Sequence, residues 1–391
     1  VNFDVKKIEP KYVMIDITYK IRVGICKVFN RNVELIGYEK RQDLNDIYLQ
    51  EIKNIENVCI NIKEAVEKAE IDAKMKIKEF MVNIPTSNIF FESSTINYVK
   101  QEPDKEINDE SMYKILKDIE LNIFKNHYKR IKSSSGYDKS DLKLIISNIS
   151  NIMLDNPSKS LLKKARFIDA SVLNIFITRT KFEIKNQLAN YLKKDVVRII
   201  PTEYALAGLF SDKKNVVILD FNTHTSVIVK RNNILVKKLT FGINDFIKIV
   251  RENYNLARSE IIKKIDEPIF ELEKAEFLEI LDILIITLED ILKFDVCPDQ
   301  FFVAGANKFI RDYLQKIDFN KYNLRMAKKI TFVNPKIDFI DDKIIENPSW
   351  IDSAKSNINI YAMIKSTLDF IKKDKNKLER TIKRIIDELN K

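Results

Sequence analysis

Two stretches of this chain carry the same order of apolar and polar positions, about 200 residues apart. In each, a β-branched apolar run ends in an aspartate, a short polar turn follows, and two further apolar runs return. The first reads Val13-Met14-Ile15-Asp16, then Thr18 to Lys20, then Ile21 to Phe29 and Val33 to Tyr38. The second reads Val216-Val217-Ile218-Leu219-Asp220, then Asn222 to His224, then Thr225 to Lys230 and Ile234 to Leu239. Short apolar runs bounded by turn residues predict buried strands, with Arg31-Asn32 and Asn232-Asn233 as hairpin turns. A chain that repeats its own opening is expected to be an internal duplication. The resulting molecule would be pseudo-twofold, with Asp16 and Asp220 facing one cleft.

Helices are predicted after each hairpin, over Asp46 to Ala73 and over Asn244 to Glu252, with a strand from Glu79 to Ile84 ending at Pro85. From Ser87 to about Thr180 the order changes. An extended piece (Ile89 to Val99) and a helix (Asp109 to Ile131) lead to a polar break, Ser133-Ser134-Ser135-Gly136, which reads as a loop. Two strand-bearing stretches follow, Leu142 to Leu154 and Phe167 to Ile177, and the whole is expected to be an inserted subdomain. The expected division is therefore 1–86 for the first part of one lobe, 87–180 for the insertion, 181–212 for the return, 213–365 for the second lobe and 366–391 for a tail.

In the tail, Leu378, Ile382, Ile385, Ile386 and Leu389 recur at helical spacing, and Lys375, Lys377, Arg380, Lys383, Arg384 and Lys391 decorate the rest. Such a segment suits a membrane interface. It equally suits a helix packed on its own protein or on a coiled-coil partner, because the final turns hold no Trp or Phe and Glu379, Asp387 and Glu388 dilute the charge.

Composition narrows the class. At 391 residues two α/β lobes are the natural division, and 45% apolar with 32% charged residues suits a globular chain with a sizeable core. The apolar stretch Phe277 to Phe294 is interrupted by Glu279, Asp282, Glu289 and Asp290, too polar for hydrocarbon. No secretory signal pattern opens the chain, and three scattered cysteines (Cys26, Cys59, Cys297) predict reduced thiols in a cytoplasmic setting. The net charge of +10 comes from 67 basic residues spread among 57 acidic ones, without a dense basic run or a nucleic-acid motif. A generally basic surface, or attraction to anionic lipid, accounts for it. Only six glycines occur, so each one is informative.

Paired carboxylates at the ends of two facing strands can hold Mg²⁺, mainly through water, while the turns beyond them wrap phosphates with backbone N–H groups. The arrangement resembles the phosphate loops of the FtsA and PilM branch of the actin-like ATPases, a ribonuclease H-like duplicated two-lobed α/β fold. Asp16 and Asp220 match the strand-end aspartates, and Thr225 with Ser226 match the closing hydroxyl pair. Thr18 stands where the first loop has glycine, and Asn222, Thr223 and His224 replace the glycine-rich part of the second. Glu34-Leu35-Ile36-Gly37 is similar to the strand closing the family's first hairpin, and Ala65 with Ala69-Glu70 to the helix after it. Phe241-Gly242-Ile243-Asn244, Ser259-Glu260-Ile261-Ile262-Lys263 and Val303-Ala304-Gly305-Ala306 resemble, in family order, a signature loop, a ribose-bracketing helix and an adenine-contacting turn. Ser353 to Met363 resembles the last core helix, and the insertion at 87–180 the small strand-and-helix subdomain that this branch carries.

The resemblance implies an ATP-Mg²⁺ cleft lined by Asp16, Thr18, Tyr19, Lys20, Asp220, Asn222, Thr223, Thr225, Ser226, Gly242, Glu260, Lys263, Gly305 and Ala306, with Asp16 and Asp220 holding the ion. Glu203, in Ile200-Pro201-Thr202-Glu203, is the candidate for orienting a hydrolytic water; a surface position in the first turn of a helix is its other reading. Loss of glycine implies weak or absent nucleotide binding and at most a slow ATPase. Three roles follow. The first is an FtsA-like adaptor that polymerises, recruits the tubulin-like FtsZ to the division septum and lies peripherally on the inner face of the membrane through the tail. The second is a PilM-like subunit of a type IV pilus platform that binds an N-terminal peptide of a membrane partner. The third is a nucleotide-free scaffold. A small-molecule kinase would need glycine in the phosphate turns and a substrate motif, and neither is present.

Overall fold

The computed structural model describes residues 11–18, 20–29, 32–41, 47–48, 51–85, 87–100, 109–154, 167–210, 215–222, 224–231, 233–239, 241–258, 260–261, 275–293, 295–305, 318, 321–326, 328–333 and 358–374. In chain order these form β1 (Lys11–Ile17), β2 (Ile21–Phe29), β3 (Asn32–Arg41), the short pair β4 (Ile47–Tyr48) and β5 (Glu51–Ile52), α1 (Ile55–Asp72), β6 (Glu79–Asn83) and β7 (Ile89–Val99). Next come α2 (Asp109–Ser135), β8 (Leu142–Leu154), β9 (Phe167–Thr178), α3 (Arg179–Leu192), β10 (Asp195–Ile199), α4 (Thr202–Leu209), β11 (Val216–Phe221), β12 (Thr225–Lys230) and β13 (Ile234–Lys238). The remainder comprises α5 (Ile243–Tyr254), α6 (Ala275–Leu292), β14 (Val296–Cys297), β15 (Gln300–Gly305), β16 (Arg325–Met326), β17 (Thr331–Phe332) and α7 (Ile358–Asp374).

The duplication is visible in the sheets. One runs β10-β6-β1-β2-β3 and the other β17-β15-β11-β12-β13, the same order built from equivalent strands. β1 pairs antiparallel with β2 and parallel with β6, which is in turn parallel to β10. In the second sheet β11 is parallel to β15, and β15 to β17. Even the turn chemistry repeats: the Thr18 amide donates to the Lys20 carbonyl at 2.9 Å, and the Asn222 amide to the His224 carbonyl at 3.2 Å. β1 and β11 are central strands with both faces covered, which is why they read as continuous apolar runs rather than alternating ones.

Apart from Val229–Val236, which take in the end of β12 and most of β13, both sheets belong to one compact unit, made of Val1–Ser87, Ile184–Ile228 and Lys237–Ser366. α1 lies on β2 and β3 through Val58, Cys59, Ile62, Ala65, Val66 and Ala69, one stripe at helical spacing. Small residues set the depth of this contact: a Cβ on Gly37 would stand 2.3 Å from the Ala69 carbonyl oxygen. α7 crosses β2 in a similar way, since a Cβ on Gly24 would meet Ile360 Cγ2 at 2.9 Å. Buried Glu70, next to that stripe, accepts from Lys194 Nζ at 2.6 Å, Lys76 Nζ at 2.8 Å and the Ile77 amide at 3.0 Å.

The second unit comprises Asn88–Glu183, Val229–Val236 and Thr367–Lys391. Its antiparallel sheet runs β7-β9-β8, and α2 packs on it. Ile115, Leu116, Ile119 and Ile123 of α2 meet Ile149, Ile168 and Val172, and Phe124 with Ile131 joins Leu142, Leu144 and Phe176.

Three sequence expectations change. The first helix begins at Ile55 rather than Asp46, because Asn54 is extended and its side chain caps the Asn57 amide at 3.1 Å, while β4 and β5 occupy part of the stretch before it. Ser133 to Ser135 form the last turn of α2 instead of a loop. Their hydroxyls donate to the Arg130 and Ile131 carbonyls, and Gly136, at φ +78, ends the helix. The last core helix continues past Met363 to Asp374. Among the described residues no helix is long and apolar enough to cross a membrane. The tail positions Leu378, Ile382, Ile385, Ile386 and Leu389 lie outside the described residues.

Candidate functional site

The candidate site starts from the end of β1. Asp16 stands directly opposite Arg22 in the β1–β2 hairpin and opposite Asn83 in the parallel β1–β6 pair, so three side chains form a row across the sheet. Arg22 Nη1 lies 2.6 Å from Asp16 Oδ2, and Asn83 Nδ2 donates to Oδ1 at 3.0 Å. Asn359 Nδ2, from the start of α7, reaches Oδ2 at 3.4 Å. Asp16 has 0% exposure, so these protein donors form its environment. Arg22 also donates to Thr18 Oγ1 at 3.2 Å, and that oxygen accepts from the Lys20 amide at 3.3 Å. Thr18 thus closes the turn with its side chain. Neither Thr18 nor Lys20 takes a positive φ, so neither position calls for glycine.

The second strand end is different. Counted along the two hairpins, Ser226 holds in β12 the place that Arg22 holds in β2, and Ala304, which pairs with Asp220, holds the place of Asn83. Asp220 therefore has no cation beside it from its own sheet at those places. Its described hydrogen bond comes from Asn222 Nδ2, to Oδ1 at 2.6 Å. Burial pushes its carboxyl up to about 7; Glu203 and Asp16 add to the rise, while Asn222 and Arg22 oppose it. The charges of Asp16 and Arg22 are near enough to be felt at Asp220.

Glu203, in the first turn of α4, is buried at 5% exposure, which removes its reading as a surface position. Lys238 Nζ, from the end of β13, lies 3.0 Å from Glu203 Oε1, and Ser226 Oγ donates to the same oxygen at 3.0 Å. Burial works to raise this carboxyl, but Lys238 together with these hydrogen bonds holds it below the usual carboxylate range.

The other expected cleft residues divide. Lys20, Asn222 and Ser226 are buried near the turns, and Thr225 Oγ1 is buried without a hydrogen-bond partner among the described residues. The amide of Gly242 is taken by Asp245 Oδ2 at 2.8 Å, a helix cap for α5. Glu260 accepts from the Ala257 amide at 3.0 Å, again a local cap. Gly305 ends β15 opposite Phe221. Tyr19, Thr223, Lys263 and Ala306 lie outside the described residues.

This donor set tests the expected ion. A Mg²⁺ held through water needs carboxylate oxygens that can accept from water, and Asp16 gives its two to Arg22, Asn83 and Asn359. The residues at the first strand end do not fit the ion. Among the described residues no cluster of three or more His, Cys, Asp or Glu side chains could hold a metal. Arg22, Asn83, Asn359 and Lys238 were not expected from the sequence. The one signal was a charged residue, Arg22, inside the otherwise apolar start of β2 and in register with the aspartate across the turn.

The sequence matches no protein-family model and no curated protein. The structure matches solved ones. PilM, in the PilM–PilN type IV pilus biogenesis complex, aligns with a TM-score of 0.61 at 13% identity over 92% of this chain and 99% of that one. The ethanolamine utilization protein EutJ of Carboxydothermus hydrogenoformans aligns with a TM-score of 0.43 at 9% identity over 83% of this chain and 89% of that one. The cytoplasmic domain of EpsL, an inner-membrane component of the Vibrio cholerae type II secretion system, aligns with a TM-score of 0.30 at 9% identity over 59% and 71%. With duplicated sheets and a match to PilM along nearly its whole length, this chain has the two-lobed actin-like ATPase fold.

Proposed function

We propose that this chain is a PilM-like structural subunit of a membrane-associated assembly, an actin-fold scaffold that binds a partner polypeptide and does not turn over ATP. The observation that carries this reading is the pairing of two of the three acids expected to do chemistry: Asp16 is bound to Arg22, and Glu203 to Lys238. A hydrolytic site in this fold needs one carboxylate for the ion and another group to orient water. A carboxylate held by a buried cation is a poor base and a poor ligand for hydrated metal, because separating the pair leaves both charges desolvated.

The choice of a PilM-like role rests on the length of the structural match; the separate strand-and-helix unit agrees with it but belongs equally to the FtsA side of the resemblance. On this reading the chain binds the cytoplasmic N-terminal segment of a PilN-type membrane protein and is held peripherally at the membrane by that partner. The division-adaptor reading, with FtsZ as partner and a lipid-binding tail, depends on tail residues outside the described set.

Calorimetry of the purified chain with a synthetic N-terminal peptide of a PilN-type protein, alongside a phosphate-release assay with ATP and Mg²⁺, tests the proposal. The expected result is saturable peptide binding and no phosphate release above background. Hydrolysis that disappears in Asp220→Ala, or binding to an FtsZ tail peptide in place of the PilN-type peptide, would overturn it.

A further inference from the structure

The two halves differ around their strand-end carboxylates. Across the first sheet the row reads Arg22, Asp16, Asn83; across the second the equivalent places hold Ser226, Asp220, Ala304. A cation and an amide have been installed around one strand-end carboxylate, while the other is flanked by small side chains. The cation is fixed. Arg22 is 5% exposed, pairs with Asp16 at 2.6 Å and is braced by the Thr18 hydroxyl at 3.2 Å.

We infer that the Arg22 guanidinium is a permanent internal cation, standing at Asp16 in place of the hydrated divalent ion that the strand-end carboxylates of this fold would otherwise share. This deepens, and rests on, the reading of the chain as a scaffold. A hydrated Mg²⁺ binds carboxylates through directional water contacts and leaves with them; a guanidinium offers planar N–H donors, cannot deprotonate and cannot dissociate. Through Asp16 it links the turn after β1, the strand β2, the Asn83 end of β6 and the start of α7, which a bound ion would otherwise organise. The ends of these elements are thereby held together whether or not metal is available.

Loss of Asp16 and loss of Arg22 should have different effects on divalent-ion uptake. Mn²⁺ serves as the probe, because its free form is counted directly by electron paramagnetic resonance. The full-length parent and Asp16→Asn should take up the same amount of Mn²⁺. Arg22→Ala should take up one further equivalent, lost again when Asp16→Asn is added. The second measurement is thermal unfolding with and without Mg²⁺. The parent should not respond, whereas Arg22→Ala and the milder Arg22→Gln, which keeps an amide donor toward Asp16, should gain about 2 °C or more at saturating Mg²⁺.

Mn²⁺ uptake by the parent that disappears in Asp16→Asn overturns the inference. So does the failure of Mg²⁺ to stabilise, or to restore folding to, both Arg22 variants. These outcomes are independent of the peptide titration. A chain that binds no PilN-type peptide but gains a divalent site on loss of Arg22 would refute the partner and leave the internal cation standing.

Discussion

Lys238 Nζ sits 3.0 Å from Glu203 Oε1, with the two side chains only 14% and 7% exposed. The pair joins the end of β13 to the first turn of α4, and it occupies the acid on which water activation would depend. Removing one partner of a buried pair leaves an uncompensated charge, a loss of about 3–5 kcal/mol, whereas removing both charges is often close to neutral. Lys238→Met should therefore lower the urea-unfolding free energy by about that amount. Adding Glu203→Gln, which keeps an acceptor for Ser226 Oγ, should recover most of the loss. Equal destabilisation of the single and double variants would show that the two side chains do not interact.

How much of this was readable from the residues depends on distance along the chain. The strand ends and the hairpins follow from the local pattern, and the structure places them much as expected, whereas the first helix begins at Ile55 rather than Asp46. The equivalence of the two sheets follows from the repeated pattern Val13–Asp16 and Val216–Asp220. The surroundings of Asp16 were not readable in that way. Asn83 is 67 residues away and Asn359 is 343 away, and nothing local marks either as a donor to that carboxylate. Glycine loss in the turn suggested a weakened phosphate loop, but it could not reveal that Thr18 and Arg22 had rebuilt it from side chains. The serine run at the end of α2 misled for a related reason. Ser hydroxyls satisfy terminal helix carbonyls as well as they satisfy loops, and only Gly136 at positive φ marks the boundary.

Asp220 gives the first pH-dependent expectation. Burial raises its folded-state carboxyl to about 7, against an ordinary value of about 3.9. The folded protein thus holds this proton more tightly than the unfolded chain does. Its contribution to stability is complete below about pH 4 and is lost as pH rises through about 7. Asp220→Asn removes the titration. The variant should match the parent near pH 4 and exceed it by a few kcal/mol at pH 8, measured as the difference between the two unfolding curves at each pH. Taking the difference cancels His127, which burial lowers to about 4 and which acts with the opposite sign, losing stability as pH falls below about 6.5. A parent that gains stability relative to Asp220→Asn on going from pH 4 to pH 8 would contradict the buried, protonated aspartic acid.

Gly37 tests the packing of α1 on its sheet. An added methyl would stand 2.3 Å from the Ala69 carbonyl oxygen and 3.0 Å from Ala73 Cβ, and the first of these is helix backbone that cannot swing aside. α1 would have to lift from β3. Overpacking of this kind costs about 1–3 kcal/mol, so Gly37→Ala should lose that much in chemical unfolding. Gly136→Ala, with nothing within 4 Å but a φ of +78, should lose about 1 kcal/mol through backbone strain alone. If Gly37→Ala proved the milder of the two, the close approach of helix to sheet would be wrong.

The second unit carries its own buried acid. Glu120, in the middle of α2, is 0% exposed and accepts from Ser147 Oγ at 2.5 Å. Asn174, with its amide turned to donate, adds a bond to Glu120 Oε1 at 3.1 Å, and Oε2 has no partner among the described residues. Among the described residues no cation pairs with it, and burial prevails over these hydrogen bonds and raises the carboxyl to about 7. The sign matches that of Asp220: stability is full below about pH 4 and lost as pH rises through about 7. Glu120→Gln keeps the size and an acceptor for Ser147 while abolishing the charge. It should leave stability within about 1 kcal/mol of the parent at pH 5 and raise it by roughly 2–4 kcal/mol at pH 8. Because the acid lies between α2 and the β8–β9 pair, hydrogen exchange should show the gain there, as slower amide exchange in α2 and β8, with the amides of β1 and β11 unchanged. A gain spread equally over both units would mean that the two unfold together, and no gain at pH 8 would mean that Glu120 is already charged in its buried site.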